Sequence, residues 1–223
     1  MKKVLLLLSL LSSHLLHAQT ETNNKEALHV KFGIGVLDYS LTSFNELAAA
    51  NNFYTLPEGI APYLNLGIIL NEYKHPFFVD MNFGIALFRN KKTSAYNMKF
   101  QAANFDLNLN YRLLNKSKFE IIPAFGLGFM SYSLDYTEKS TGTFAQLLQS
   151  NQTSIRTQTP LIFFANPRLA FEYKLGASSS LGLQIGYRLG INQPKWKVNP
   201  NQKLDGAPSA QGSGFYGAVY IKF

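Results

Sequence analysis

Apolar and polar residues alternate with a period of two along most of the chain. From Ala103 to Leu113 the positions Ala103, Phe105, Leu107, Leu109, Tyr111 and Leu113 fall on one side of an extended strand, and Asn104, Asp106, Asn108, Asn110 and Arg112 on the other. A helix would scatter both sets around its circumference, whereas a strand separates them. The same alternation predicts seven further strands. In chain order they carry Leu28 to Val36, Leu64 to Leu70, Phe77 to Leu87, Phe119 to Phe129, Leu161 to Tyr173, Leu181 to Leu189 and Phe215 to Phe223 on the apolar face. The opposite faces hold small, amide and charged residues. Each run is about the length of a tilted strand that crosses hydrocarbon.

The connections alternate in length. Residues 41–59, 89–97, 134–159 and 192–212 form long links, and 71–76, 115–118 and 176–180 short ones. An even strand number with long and short links in turn is the pattern of a closed barrel with short periplasmic turns and long outside loops. Closure is required in hydrocarbon, because an open edge leaves backbone donors and acceptors unpaired at several kcal/mol each. Two long links hold capping-box spacings, Ser43 with Glu46 and Thr143 with Gln146, so each predicts a short helical turn. Pro123 and Pro167 each remove a ladder donor, and a bulge or weak pairing is expected there. The Gly33–Gly35 and Gly126–Gly128 pairs lie mid-strand and relieve crowding in a narrow bore rather than cradling phosphate.

Met1-Lys2-Lys3 precedes an apolar run ending in His17-Ala18-Gln19. Residues 1–18 are expected to be a secretory signal, 19–26 a loose segment and 27–223 the barrel domain. The apolar run is shorter than the roughly 20 residues of a membrane helix. The net charge of +8 falls to +6 without the two lysines of the first eighteen residues. The basic residues are dispersed, which argues against a nucleic-acid partner. Cysteine is absent, which excludes disulfides, thiol chemistry and an N-terminal lipid anchor. A mean hydropathy of −0.05 suits a barrel with a polar interior.

The last strand, from Phe215 to Phe223, alternates and ends on an aromatic residue. In this and in its loop pattern, the chain from Ala27 to Phe223 resembles the small eight-stranded outer-membrane barrels: OmpA transmembrane domains, OmpX and the short "outer membrane protein beta-barrel" domains. The resemblance implies an all-β, closed, antiparallel up-and-down transmembrane barrel in a diderm outer membrane. It also implies recognition of the Phe223 strand by the barrel-assembly machinery. No peptidoglycan-binding domain is read after the last strand.

The faces give three candidate sites. Lys31, Asp80, Asp106, Arg112, Glu120, Arg168, Glu172, Lys174, Arg188 and Lys222 point into the lower and middle bore. An eight-stranded bore is only wide enough for side chains. The charges must therefore pair, either as a packed plug or as a narrow ion path. Tyr39, Tyr63, Phe88, Phe100, Met130, Tyr132, Ile162, Phe164 and Tyr216 lie inward near the outer mouth, as an aromatic plug or as a pocket for a lipophile. Arg89, Lys91, Lys92, Lys195, Lys197 and Lys203 lie in outside loops, as a solvated surface or as contacts for lipopolysaccharide phosphates. His14 and His17 leave with the signal, His29 starts the first strand and His75 sits in a short turn. No Ser/His/Asp set assembles at the mouth and no metal spacing appears. No cofactor or catalytic residue is expected. The function expected is a non-enzymatic barrel acting in envelope structure or surface interaction. A carrier of a small lipophile and a subunit of a larger outer-membrane complex are the alternatives.

Overall fold

A computed structural model of the chain describes residues 28–50, 55–56, 58–70, 76–87, 91–92, 96–116, 118–138, 154–176, 179–198, 202–203 and 206–223. The expected signal segment and the Thr143–Gln146 turn lie outside them.

Eight long strands run in chain order: β1 (His29–Tyr39), β2 (Gly59–Leu70), β3 (Phe77–Leu87), β4 (Tyr96–Tyr111), β5 (Phe119–Glu138), β6 (Ile162–Lys174), β7 (Ser180–Gly190) and β8 (Gly214–Lys222). Each pairs antiparallel with the next. The first and last also pair, from Lys31 opposite Lys222 to Leu37 opposite Tyr216, so the sheet closes on itself. At that seam Val30 and Phe223 exchange both backbone hydrogen bonds, each 3.0 Å. The terminal aromatic is thus the last rung of closure. Both ends of the barrel domain meet at the end that carries the short links, here the turn end; the opposite one is the loop end.

The faces follow the alternation. Leu107 and Leu109 are 48% and 55% exposed while Asn108 is fully buried. The exposed set runs around the whole exterior, including Phe32, Ile34, Leu66, Phe83, Phe125, Leu183 and Val219. An uninterrupted apolar belt of this kind is far larger than the patches soluble monomers expose. Near the turn end, aromatic side chains gather on this face: Phe77 beside Tyr111 at 4.8 Å and Phe119 beside Tyr173 at 5.0 Å between ring centroids.

The two prolines act differently. Opposite Pro123 the ladder slips by one residue: Asn110 faces Ala124, but Leu114 faces Ile121. Tyr111, Arg112 and Leu113 therefore oppose only Ile122 and Pro123, which is a bulge. Beside Pro167, the β6–β7 ladder runs to Gly186 opposite Arg168 and resumes at Leu189 opposite Ala165, a local gap without a register change.

The loop end is more ordered than the sequence suggests. The β4–β5 hairpin reaches up to Tyr96 opposite Glu138, into the expected links 89–97 and 134–159. Residues 154–158 add to β5, 197–198 add to 154–158, and 202–203 follow. The inward alternation of Phe100, Tyr132 and Leu134, all buried, continues into this extension and explains it.

Helix α1 (Thr42–Ala50) starts ahead of the expected Ser43 cap. The Asn45 amide donates to Leu41 O at 2.8 Å. Asn45 is then used laterally, donating to Leu56 O (2.9 Å) and accepting from the Leu56 amide (2.8 Å). That side-chain clip ties the helix to the chain entering β2 and takes the place of a capping box.

Candidate functional site: the filled bore

The inward face of each strand contributes one side chain to successive layers of the bore. At the turn end, Glu120 on β5 meets Arg112 at 3.2 Å and Lys174 at 2.8 Å. Beside it, Glu172 on β6 accepts from Lys222, from Tyr220 Oη at 2.6 Å and from Ser180 Oγ at 3.0 Å.

The middle layer is built on Asp80 of β3. Its Oδ2 accepts from Lys31 (3.1 Å) and Arg168 (2.6 Å). Its Oδ1 accepts from Asn82 (2.9 Å) and Asn108 (2.8 Å). Four donors fill the carboxylate's four lone-pair sites. Arg168 also donates to Asn110 Oδ1 at 2.6 Å, and Lys31 to Gln184 Oε1 at 3.4 Å. Four strands, β1, β3, β4 and β6, are thus tied through one group, which is what a side-chain-filled bore permits.

Asp106 has a different environment. Among the described residues it accepts only from amides: Asn82 at 3.1 Å, Asn104 at 3.3 Å, Asn166 at 3.5 Å, and Asn108. Asn166 in turn donates to Asn108 Oδ1 (3.1 Å) and accepts from Tyr216 Oη (2.9 Å). This amide belt of Asn82, Asn104, Asn108 and Asn166 was not among the predicted site residues. The signal for it was present, since all four stand at inward parity in their strands.

Above the belt the filling becomes apolar. Tyr39, Tyr63, Phe100, Met130, Tyr132, Ile162, Phe164 and Tyr216 are all buried in one cluster; Phe88 lies outside the described residues. The tyrosines fit because glycines lie beneath them. A Cβ on Gly84 would stand 2.1 Å from Tyr63 Oη, and one on Gly186 2.5 Å from the Tyr216 ring. Trp196 comes down from the β7–β8 link and closes the top. It stacks on Tyr132 at 6.2 Å and 19°, and meets Phe100 at 6.3 Å and Phe44 of α1 at 5.3 Å. By sequence, Trp196 falls within the long outside link 192–212, between Lys195 and Lys197. Only its neighbours keep to that surface: Lys195 is exposed and Lys197 half-buried. Lys91, Lys92 and Lys203 lie on short strands, and Arg89 falls outside the described residues.

Of the ten inward ionisable residues, eight are drawn into ion pairs around Asp80, Glu120 and Glu172. Among the described residues, Asp106 and Arg188 are not. Arg188, 1% exposed, stands one level higher among aromatic rings. The ten comprise six bases (Lys31, Arg112, Arg168, Lys174, Arg188, Lys222) and four acids (Asp80, Asp106, Glu120, Glu172), an excess of two positive charges. His29 is buried at the turn end, remote from the mouth.

No family model matches the chain, and no curated protein does. Solved structures do match. A major outer membrane protein from Thermus thermophilus superposes with a TM-score of 0.57 at 10% identity, covering 88% of this chain and 98% of that one. Neisserial surface protein A gives 0.48 at 9% identity, covering 89% and 98%. Ail, the attachment invasion locus protein of Yersinia pestis, gives 0.44 at 11%, covering 88% and 99%. At such identities the likeness is one of fold: the chain has the closed eight-stranded architecture of the small outer-membrane β-barrels.

Proposed function

We propose that the protein is an outer-membrane barrel with a closed lumen and no catalytic centre, acting through its loop end in envelope structure or surface interaction. One observation carries the reading: a continuous apolar exterior surrounds a bore filled from the Glu120 layer to Trp196. A filled bore leaves no path for substrate, and an apolar exterior needs acyl chains around it. Lys195 and Lys197, with Lys91, Lys92, Lys203 and Arg89 in the outside loops, are candidate contacts for lipopolysaccharide phosphates. The Phe223 strand is the candidate signal for the assembly machinery.

Reconstituted into planar bilayers, the protein is expected to pass no current above leak. Steady unit conductance in the native protein would overturn the closed lumen. Lys195→Glu with Lys197→Glu is expected to weaken retention on lipopolysaccharide-containing vesicles relative to phosphatidylcholine vesicles. Equal retention would remove the loop contacts from the reading.

A further inference from the structure

The β4–β5 hairpin carries the barrel wall beyond the apolar belt. Its ladder runs without a slip from Asn110 opposite Ala124 to Tyr96 opposite Glu138, so the exterior of the barrel and that of the extension are one surface. The character of that surface changes along it. On β4 the outward residues pass from Leu107, Phe105 and Ala103 to Gln101 and Lys99, and on β5 from Leu127 and Phe129 to Ser131, Ser133 and Asp135. Residues 154–158 and 197–198 widen the polar part. Directly paired residues share a face of the sheet. Lys99, Asp135 and Arg156 therefore form one outward row. The next row holds Gln101, Ser133, Gln158 and Lys197.

Height sets these rows apart from the hydrocarbon. Phe119 to Phe129 is about 33 Å of strand at about 3.3 Å per residue. At a tilt of about 40° it rises about 25 Å, the height of the apolar band of such barrels. On the same spacing and tilt Lys99 stands about 10 Å above Ala103, and Asp135 about 15 Å above Phe129. The headgroup zone of a phospholipid leaflet adds only about 5–7 Å to its hydrocarbon. The backbone of this basic row thus lies above phospholipid phosphates.

Charge is segregated at this end. Lys99 is exposed and Lys197 half-buried. The Arg156 side chain is 60% exposed and meets Asp135 Oδ1 at 3.4 Å. Gln158, with its amide oxygen toward Arg156, accepts from Nε at 3.0 Å and Nη2 at 3.1 Å. The guanidinium is thereby steadied while much of it still faces solvent. Among the described residues of the two rows, these three bases stand against Asp135 as the single acid. Elsewhere at the loop end the sign reverses: the described residues between 38 and 60 hold Asp38, Glu46 and Glu58 and no base. Between the bases lie hydroxyl and amide side chains, Ser133 and Gln101, which suit sugar hydroxyls.

We propose that this wall seats the phosphorylated oligosaccharide headgroup of a glycolipid anchored in the outer leaflet, with Lys99, Arg156 and Lys197 on its phosphates. The inference rests on the surface role proposed above and deepens it. It moves the contact from the loops to the wall, and from phosphates at membrane level to those on the core sugars.

The test uses the full refolded protein in phosphatidylcholine vesicles, with unfolding by urea followed through Trp196 fluorescence, this being the chain's single tryptophan. At equal anionic charge the vesicles carry lipopolysaccharide with a phosphorylated core, the same lipid A without its core, or phosphatidylglycerol. A ligand that binds only the folded state lowers the unfolding constant, and a basic residue near an anionic surface contributes about fivefold in binding. The core-bearing lipid is expected to lower the constant of the native protein about tenfold more than either other lipid does. Lys99→Gln with Arg156→Gln is expected to lose most of that excess and to match the native protein in plain phosphatidylcholine. Lys99→Gln alone, expected to lose about fivefold, serves if the double variant does not fold. The proposal is overturned if lipid A or phosphatidylglycerol acts as strongly as the core-bearing lipid, or if the variants respond as the native protein does. Wall variants that respond as the native protein does, with Lys195→Glu still losing retention on lipopolysaccharide vesicles, would exclude the wall and leave the loop contacts standing. No response of the native protein to any lipopolysaccharide, with no loss of retention in Lys195→Glu, would remove both.

Discussion

Asp80→Ala is expected to lower the stability of the refolded protein by about 3–5 kcal/mol, the range found when one member of a buried ion pair is removed. The magnitude follows from what the carboxylate holds. Lys31 and Arg168 both end on Oδ2, and Asn82 and Asn108 on Oδ1. Removing it leaves two charges and two amides in a space closed to water. The cost is one of broken pairing, not of lost net attraction, since buried pairs gain little over apolar residues of the same volume. The triple change Lys31→Met, Asp80→Leu and Arg168→Met is therefore expected to recover most of the loss. Urea titration of vesicle-refolded protein measures both. An Asp80→Ala midpoint indistinguishable from the native one would contradict the assignment of Asp80 as the centre of the middle layer.

Leu109→Arg is expected to cost about 2–4 kcal/mol, the penalty of a charge on a barrel's lipid face near the bilayer midplane. Leu109 is 55% exposed on β4, in the same belt as Leu107. Depth controls the penalty, which falls to about 0–1 kcal/mol near the interfaces. Leu113→Arg supplies the comparison, since Leu113 is also exposed but lies past the end of β4 beside the turn-end aromatics. The same titration is expected to separate the two variants clearly. Equal losses at both positions would mean that the exterior does not face a hydrocarbon slab.

The faces of all eight strands could be read from the sequence because the side-chain period of a strand is two and one face is large and apolar. Pro123 announced its bulge for an equally local reason, the missing amide. Height in the bore is a different matter. It depends on stagger between strands, which alternation does not specify. Arg188 was grouped by parity with the ion pairs, yet the register sets it a level above them among Tyr63, Phe164 and Tyr216. Asp106 was grouped with them as well, and its neighbours are asparagines. Trp196 lay in a segment of Pro, Asn and Lys with no period at all. Its descent into the mouth is set by the aromatic cluster below it, which no local pattern reports. The helix was legible as a helix, but its clip through Asn45 depends on a contact eleven residues away.

The central claim is a closed cylinder whose exterior meets acyl chains and whose filling does not. The chain has no cysteine, so single cysteines carrying nitroxide labels at positions 103 to 111 report one site each. In vesicles, collision rates with oxygen, which concentrates in hydrocarbon, are expected to be high at Phe105, Leu107 and Leu109 and low at Asn104, Asn108 and Asn110. A period of two through the whole series is the predicted result; a period near 3.6, or high oxygen accessibility on the asparagine face, would contradict it.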